Sequence, residues 1–459
     1  MLWKQATLQQ LPTVRWQQSS YLNHLTTWLQ QWAAASLIFS RGRAIATVLV
    51  ALVFAVAPFV STTLIGLLLL ASAGIWILLV FTDSDRPPLT PVHLTVLGYW
   101  GITTIATGFS PVRTAAVDGW IKLTLYLMLF ALMVRLLRSP TIRSILIGVY
   151  LHIALIVSGA GLRQWFFGVD ALATWVDPDS SLAGTTRVYS YLGNPNLLAG
   201  YLIPATLLSL AAVFVWKRWV AKALAVIMWI VHSSCLVVTF SRGGWLGFVA
   251  GGFVLLLLLI HWIGPRLPKF WRRWSLPLVI GGTTVSLAVA IATVAPLQER
   301  FLSIFAGHAD SSNSFRLNVW QGVIQMIQAR PWLGIGPGND AFNLVYPFYQ
   351  VPGYTALSAY SILLEIWVET GIIGLLCFLW LVVVTLVQGW IVLQKLRATG
   401  DREGFWLMAA IATIFGMMTH GAVDTVWYRP QVSVLWWLMV AIVASYYQTP
   451  KPDPSQLDS

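Results

Sequence analysis

The sequence has few charged residues and almost no cysteine. Only 10% of its 459 residues are charged and 58% are hydrophobic, whereas about a quarter of a soluble domain is charged. This balance excludes an ordinary soluble protein. Cys235 and Cys377 lie in apolar runs without a CxxC neighbour or a histidine at metal spacing, so we expect packed side chains, no metal and no cofactor.

We also expect no cleavable signal peptide, because residues 1–43 are polar and Trp-rich and the first apolar run starts too late in the chain.

Runs of about 17 or more apolar residues predict membrane helices. About a dozen such runs are present, which predicts an all-α, polytopic membrane protein with about 12 transmembrane helices. They lie near residues 44–59, 62–81, 89–109, 120–137, 145–159, 197–216, 223–240, 245–262, 277–295, 372–393, 405–425 and 432–447.

Basic residues are distributed unequally between the gaps that separate these runs. Lysine and most arginines fall in alternate gaps, whereas the other gaps contain arginine and no lysine. The positive-inside rule then predicts that both termini are in the cytoplasm. We expect the membrane to be the plasma (inner) membrane. Because no basic run is interleaved with aromatic residues on a soluble face, we do not expect nucleic-acid binding.

The lengths of the gaps divide the chain. We predict a cytoplasmic or interfacial segment over 1–43, nine transmembrane helices over 44–296, a large extracytoplasmic loop over 297–361, three further transmembrane helices over 362–447 and a cytoplasmic tail over 448–459. Within the loop, apolar spacing predicts an amphipathic helix over 314–328 and another helix over 358–371, separated by a Pro- and Gly-rich turn. The gaps are too short for a separate soluble catalytic domain.

Two arginines on the predicted outer side suggest an anion site. Arg242 lies between two membrane helices in the motif Phe-Ser-Arg-Gly-Gly-Trp-Leu-Gly, and Arg316 opens the loop helix. An arginine at the edge of the membrane is costly unless it is paired. Guanidinium groups bind phosphate or carboxylate-like anions through two parallel hydrogen bonds, a geometry that lysine cannot reproduce. A hairpin arginine that reaches lipid head groups is the alternative for Arg242.

Other polar residues mark further candidate positions. Asn194 and Asn196 surround a proline at a predicted helix start, so they are either ligand-binding amides or helix caps. Glu365 and Glu369 are spaced to share a helix face at the membrane edge. The spacing of His420 and Asp424, followed by Arg429, is compatible with a proton relay or polar site and equally with a packed polar pair.

These motifs together resemble the O-antigen ligase and polymerase superfamily, whose polytopic members handle polyprenyl-pyrophosphate-linked glycans. The resemblance covers roughly residues 190–430. Residues 358–365 and 420–429 look more narrowly like the cyanobacterial inorganic-carbon-transport, or bicarbonate transporter, branch. The pieces that match the O-antigen ligase and polymerase superfamily are Asn194-Pro-Asn196, Ser241 to Leu246, Arg316 with Trp320, Pro331 to Gly338, and Glu369-Thr-Gly371.

The resemblance implies that Arg242 and Arg316 bind pyrophosphate. It also implies that a histidine acts as base, but that position falls on Tyr360, and the asparagine that follows it falls on Ser361. A phenol, with a reference pKa near 10, is a poor general base at neutral pH. Tyr360 is therefore the catalytic candidate at which this sequence departs from the family, with Glu365, Glu369 and His420 as alternative bases.

Three functions remain open at this stage. The branch resemblance implies transport or accumulation of bicarbonate, a planar anion that suits an arginine fork. The superfamily resemblance implies a metal-independent glycosyltransferase, ligase or polymerase whose partner is a polyprenyl-pyrophosphate lipid. A non-catalytic binding or assembly subunit is the third. In each case membrane lipids surround the protein.

Overall fold

The computed structural model describes residues 2–8, 41–82, 89–169, 187–293, 298, 302 and 311–447. Most of the predicted N-terminal segment, the start of the large loop and the predicted tail lie outside the described residues. Within these ranges the protein is an all-α, polytopic membrane protein, and no strand is present in the residues so described. The predicted fold class is therefore confirmed.

Helices overlap all twelve predicted apolar runs. Nine of the helices in the described ranges are long and apolar enough to cross a membrane, whereas α2 and α15 are shorter apolar helices. The helices are α1 (Leu2–Ala6), α2 (Gly42–Val56), α3 (Thr62–Thr82), α4 (Pro91–Gly108), α5 (Arg113–Leu136), α6 (Pro140–Phe167), α7 (Pro195–Val215), α8 (Trp219–Val237), α9 (Arg242–Ile263), α10 (Lys269–Thr293), α11 (Ser311–Ala329), α12 (Asn339–Val345), α13 (Ile362–Thr399), α14 (Gly404–Val423) and α15 (Pro430–Ser445).

The centre of the bundle is formed by α7, α14 and α15. Every residue of α15 is buried, as are most residues of α7 and α14. Such helices are apolar on all sides because each side faces another helix. Glycines allow α9 to approach α14 closely: a Cβ atom at Gly247 would lie 2.6 Å from the carbonyl oxygen of Gly416. Close backbone approach through small residues is the usual way in which membrane helices pack.

The large loop folds onto one end of this bundle, which we call the loop end. Its own small core includes Val319 and Val323 of α11, Phe342 of α12 and Val368 of α13. The predicted amphipathic helix corresponds to α11. The second predicted helix begins at Ile362 rather than at 358, because Ser361 has extended backbone angles and forms the N-cap.

Helix α13 is interrupted at Gly371, where φ is 67° and ψ is −174°. The Pro- and Gly-rich turn of the loop supplies the missing hydrogen bonds. The amides of Ile335 and Gly336 donate to the carbonyls of Val368 and Glu369, both at 2.9 Å. A positive φ combined with this close approach requires glycine. The break therefore fixes the loop to the start of a membrane helix.

The opposite end of the bundle carries a separate polar cluster. Arg143 of α6 forms an ion pair with Glu403 and lies 3.8 Å from the ring centroid of Tyr446. The Tyr446 hydroxyl donates to the carbonyl oxygen of Glu403 at 3.0 Å. This cluster connects the starts of α6 and α14 to the end of α15.

Candidate functional site

Arg242 begins α9 in a turn that its neighbours fix. The Ser241 hydroxyl accepts a hydrogen bond from the amide of Gly244 at 3.1 Å and so caps the helix. Phe240, which precedes the cap, has a φ of +51°. Left-handed backbone angles are uncommon for non-glycine residues and occur often at functional sites. Arg242 itself is 8% exposed, so its guanidinium is held at the loop end and not in bulk water.

His420 lies in a space that glycines create at the loop end. A Cβ atom at Gly243 would lie 2.8 Å from the imidazole Cδ2, and one at Gly200 would lie 3.3 Å from Cε1. The ring is therefore enclosed by the starts of α7 and α9. Neither imidazole nitrogen has a hydrogen-bond partner among the described residues, although the residue is 1% exposed. Buried polar groups are normally paired, so this histidine requires an explanation.

Asp424 joins the loop to this region. Arg316 of α11 forms an ion pair with it, at 3.6 Å between Nη2 and Oδ2. The other carboxylate oxygen, Oδ1, accepts from the amide of Thr425 at 2.8 Å. His420 and Asp424 do not share a helix face, because α14 ends at Val423 and Asp424 is extended, with φ −155° and ψ 155°. The loop fold, not helical spacing, gives Asp424 its partner.

Tyr360 lies in the loop segment that leads into α13. Two hydrogen bonds fix its neighbour Ala359: Trp320 Nε1 donates to the carbonyl at 2.9 Å, and the amide donates to Glu365 Oε2 at 2.5 Å. The Tyr360 ring meets Phe315 edge to face, with 5.5 Å between centroids. Its φ of +50° is left-handed, like that of Phe240.

The electrostatic surroundings of Tyr360 oppose ionisation. Burial, followed by the nearby Asp424 carboxylate and Tyr428, raises the pKa of its hydroxyl to about 12, while Arg316 acts in the opposite direction. The phenol is therefore protonated at neutral pH. This strengthens the expectation that it is a poor general base.

Glu365 and Glu369 lie on one face of α13 and both hold the loop. Glu369 Oε1 accepts from the amide of Gly338 at 2.6 Å, as Glu365 Oε2 does from Ala359. The second oxygen of Glu365, Oε1, has no hydrogen-bond partner among the described residues. One oxygen of each predicted catalytic carboxylate therefore has a structural partner.

A cavity of about 540 Å³ opens beside these glutamates. It lies between α3, α4, α5, α13 and α15, and Arg429, which is exposed, lines it. Arg242, Arg316 and Tyr360 are not among its lining residues. The predicted residues thus form two neighbouring groups. We call the first, with Arg242, Arg316 and His420, the arginine–histidine group, and the second, with Glu365 and Glu369, the glutamate cavity. The segment from Asp424 to Arg429 connects them.

Asn194 acts as a helix cap. Its side-chain oxygen accepts from the amides of Asn196 and Leu197 at 2.8 and 3.2 Å. The Asn196 side chain accepts from Arg187 Nη2 at 3.3 Å. Both amide side chains therefore have protein partners that hold the start of α7 beside His420.

The sequence assigned no structural role to three residues of the site. Trp320 holds the loop segment that carries Tyr360, Gly200 makes room for the imidazole of His420, and Gly371 interrupts α13. Their signals, an aromatic residue one turn after Arg316 and isolated glycines in apolar runs, do not by themselves indicate a contact. Within the described ranges, no cluster of three or more histidine, cysteine or acidic side chains could hold a metal ion.

A comparison with known protein families matches part of the chain. The family model described as O-antigen ligase matches residues 223–379, which is less than half of the chain. The match supports the O-antigen ligase superfamily. It includes Arg242, Arg316, Tyr360 and both glutamates, and it ends before His420. No curated protein matches the chain.

Proposed function

We propose that this membrane protein binds the diphosphate of a polyprenyl-linked glycan at its loop end and transfers the glycan to a hydroxyl acceptor. The observation that carries the proposal is the meeting of Arg316 and Asp424 at the end of α14, beside the buried His420. The family match over the two arginines supports the same substrate class. A guanidinium binds carboxylate and phosphate oxygens in the same way, so a group that pairs with a carboxylate can also pair with a phosphate.

In the proposed reaction the acceptor oxygen attacks the anomeric carbon. The bond between that carbon and the diphosphate oxygen breaks, and the polyprenyl diphosphate leaves with the electron pair. Arg242 and Arg316 stabilise the negative charge that develops on the leaving group. The acceptor proton passes to a base.

His420 is the base that we propose. The Tyr360 hydroxyl, with a pKa of about 12, does not accept a proton at neutral pH. Glu365 and Glu369 each have an oxygen engaged by a loop amide. His420, in contrast, has two ring nitrogens without partners in the part of the chain that the structure describes. Because the starts of α7 and α9 enclose its ring, access to the imidazole requires local movement of these helix ends.

The test replaces each arginine with lysine, which keeps the charge and removes the planar fork. We expect Arg242→Lys and Arg316→Lys each to reduce transfer of a lipid-linked glycan in membranes by about 100-fold, the cost of one lost charge-stabilising donor. His420→Gln is expected to abolish transfer while donor binding remains. Transfer at the wild-type rate in both lysine variants would contradict the proposal.

Bicarbonate transport is the second candidate, and the break of α13 at Gly371 favours it. Discontinuous helices beside a cavity are typical of transporter substrate sites. Uptake of labelled bicarbonate into vesicles that contain the purified protein tests this candidate directly. Uptake that depends on Arg242 and Arg316, in the absence of any lipid-linked glycan, would favour transport over transfer.

We also propose that the loop end is extracytoplasmic in the inner membrane, with both termini cytoplasmic. The opposite end contains Arg135, Arg143 and Arg397, in agreement with the positive-inside rule. Single cysteines introduced at Phe348, which is 84% exposed in the loop, and at Gly400 should react from opposite sides of sealed vesicles. Labelling of both from the same side would refute this orientation.

A further inference from the structure

A half-buried arginine at the end opposite the loop end has no acidic partner among the described residues. Arg397 lies in the last turn of α13, and its Nη1 donates to Nε2 of His261 on α9 at 2.9 Å. A guanidinium group can only donate hydrogen bonds. Nε2 of His261 therefore accepts, and the imidazole is neutral. Because Arg397 forms no ion pair in the ranges that the structure describes, its charge has no counter-charge there.

Arg143, at the same end of the bundle, shows the opposite arrangement. It forms an ion pair with Glu403, and its guanidinium lies over the ring of Tyr446. A charge that is partly removed from water is costly unless it is paired. Arg143 finds its pair within the protein, whereas the charge of Arg397 is left for a partner from outside.

A second arginine reaches the last turn of α13 from α9. Arg266 follows the end of α9 and is exposed. A Cβ atom built at Gly400, the C-cap of α13, would lie 3.0 Å from its Nη2. The carbonyl of Arg397 in this turn already accepts from the amide of Gly400 at 3.1 Å. Like Arg397, Arg266 forms no ion pair within the described part of the chain. Two guanidinium groups without carboxylates therefore lie at one helix end.

An exposed aromatic ring lies closer to the middle of the membrane on the same face of α13. Trp390 is 46% exposed, and its ring centroid lies 4.9 Å from that of His261. It precedes Arg397 by two helical turns, which places it about 10 Å further along the helix axis. Tryptophan is enriched where lipid head groups meet acyl chains. A ligand that contacts both residues therefore has a charged end at the arginines and an apolar part beside the tryptophan.

We infer that the adjacent ends of α9 and α13 bind the phosphate of an anionic phospholipid through Arg266 and Arg397, with an acyl chain beside Trp390. Guanidinium groups offer parallel donors that match phosphate oxygens. Basic pockets between membrane helices bind such head groups. Free phosphate offers the same oxygens but has no apolar part for the tryptophan. This lipid site lies at the end opposite the arginine–histidine group, and it does not rest on the proposed function.

An exposed arginine elsewhere at this end provides a matched control. Arg218 lies in the turn between α7 and α8 and is exposed, as Arg266 is. Arg266→Gln and Arg218→Gln each remove one positive charge from the same end of the protein. A general attraction between basic residues and anionic lipid would weaken equally in both variants. Only Arg266→Gln removes a donor from the end of α13.

The experiment measures lipid binding to the purified full-length protein by native mass spectrometry, which requires no turnover. The probes are phosphatidylglycerol, phosphatidylcholine with the same acyl chains, and inorganic phosphate. We expect the wild-type protein to prefer phosphatidylglycerol, and an excess of inorganic phosphate not to displace it. Binding should be about tenfold weaker in Arg266→Gln and in Arg397→Gln, the cost of a lost charge-assisted hydrogen bond, and unchanged in Arg218→Gln. Thermal unfolding without lipid shows whether each variant is folded, and Arg266→Gln, at an exposed position, decides the test if Arg397→Gln is not.

Three results would overturn the inference. The first is equal binding of phosphatidylglycerol and phosphatidylcholine to the wild-type protein. The second is equal weakening in Arg266→Gln and Arg218→Gln, which would show that total charge and not this site attracts the lipid. The third is displacement of phosphatidylglycerol by inorganic phosphate, which would identify a site for a soluble anion.

Discussion

Replacement of Glu365 by leucine should loosen the loop that carries Tyr360. The carboxylate accepts the Ala359 amide at 2.5 Å from within a site that is 4% exposed. Leucine has a similar size and cannot accept a hydrogen bond. The Ala359 amide is then left without its partner, while the Trp320 bond to the carbonyl of the same residue remains.

The size of this effect follows from the cost of a buried unpaired donor, about 1–3 kcal/mol. Since about 1.4 kcal/mol corresponds to a factor of ten, local opening of the loop should become roughly 5–150 times more frequent. Hydrogen–deuterium exchange of the peptide that covers residues 354–361 measures this opening. Glu369→Leu is the matched control, because it removes the acceptor of Gly338 and should accelerate exchange there.

Exchange that is unchanged at Ala359 in Glu365→Leu would refute the reasoning. Equal acceleration at Ala359 and Gly338 in both variants would refute it too, because each glutamate would then act through general destabilisation of α13. Thermal unfolding of the two variants provides the necessary comparison of global stability.

Other perturbations test the packing and the charges around the site. Gly243→Ala should destabilise the protein by about 1–3 kcal/mol in thermal unfolding, because the new Cβ would lie 2.8 Å from the buried imidazole. Gly252→Ala on the same helix is the control: its Cβ meets nothing within 4 Å, so its stability should not change. Asp424→Asn keeps the side-chain acceptor for the next amide but removes the ion-pair partner of Arg316, so we expect a loss of about 1–3 kcal/mol in the same assay. The raised pKa of Tyr360 predicts a contribution to folding stability that is complete below pH 10 and is lost as the pH rises towards 12. Tyr360→Phe should remove this alkaline dependence of stability. A variant with the same pH profile as the wild type would contradict the prediction.

The sequence predicted the helices better than their ends. Each of the twelve apolar runs contains a helix, because burial in lipid or protein requires internal backbone hydrogen bonds whatever the tertiary arrangement. Helix α13, however, runs from Ile362 to Thr399 and includes a break at Gly371. That break depends on amides from the distant turn before Gly338, and a local pattern does not contain such a partner.

The candidate site, like the helices, was predicted from the sequence only in part. Composition and motif order singled out Arg242, Arg316 and the two glutamates. They did not reveal that Asp424 pairs with Arg316. They also left open whether Asn194 binds a ligand or caps a helix, and the structure shows that it caps α7. The convergence of both arginines on one anion stays a prediction, and it belongs to the proposed function.

The sequence by itself determined that this chain is a bundle of membrane helices, because apolar runs of sufficient length have one stable arrangement in a bilayer. It also supplied the residues from which we propose an anion-binding and glycan-transferring chemistry. Only the tertiary structure decided which polar groups meet: His420 between the starts of α7 and α9, Asp424 on Arg316, and the glutamates on the loop. These contacts join residues far apart in the chain, and their geometry depends on how the helices pack and where the loop lies.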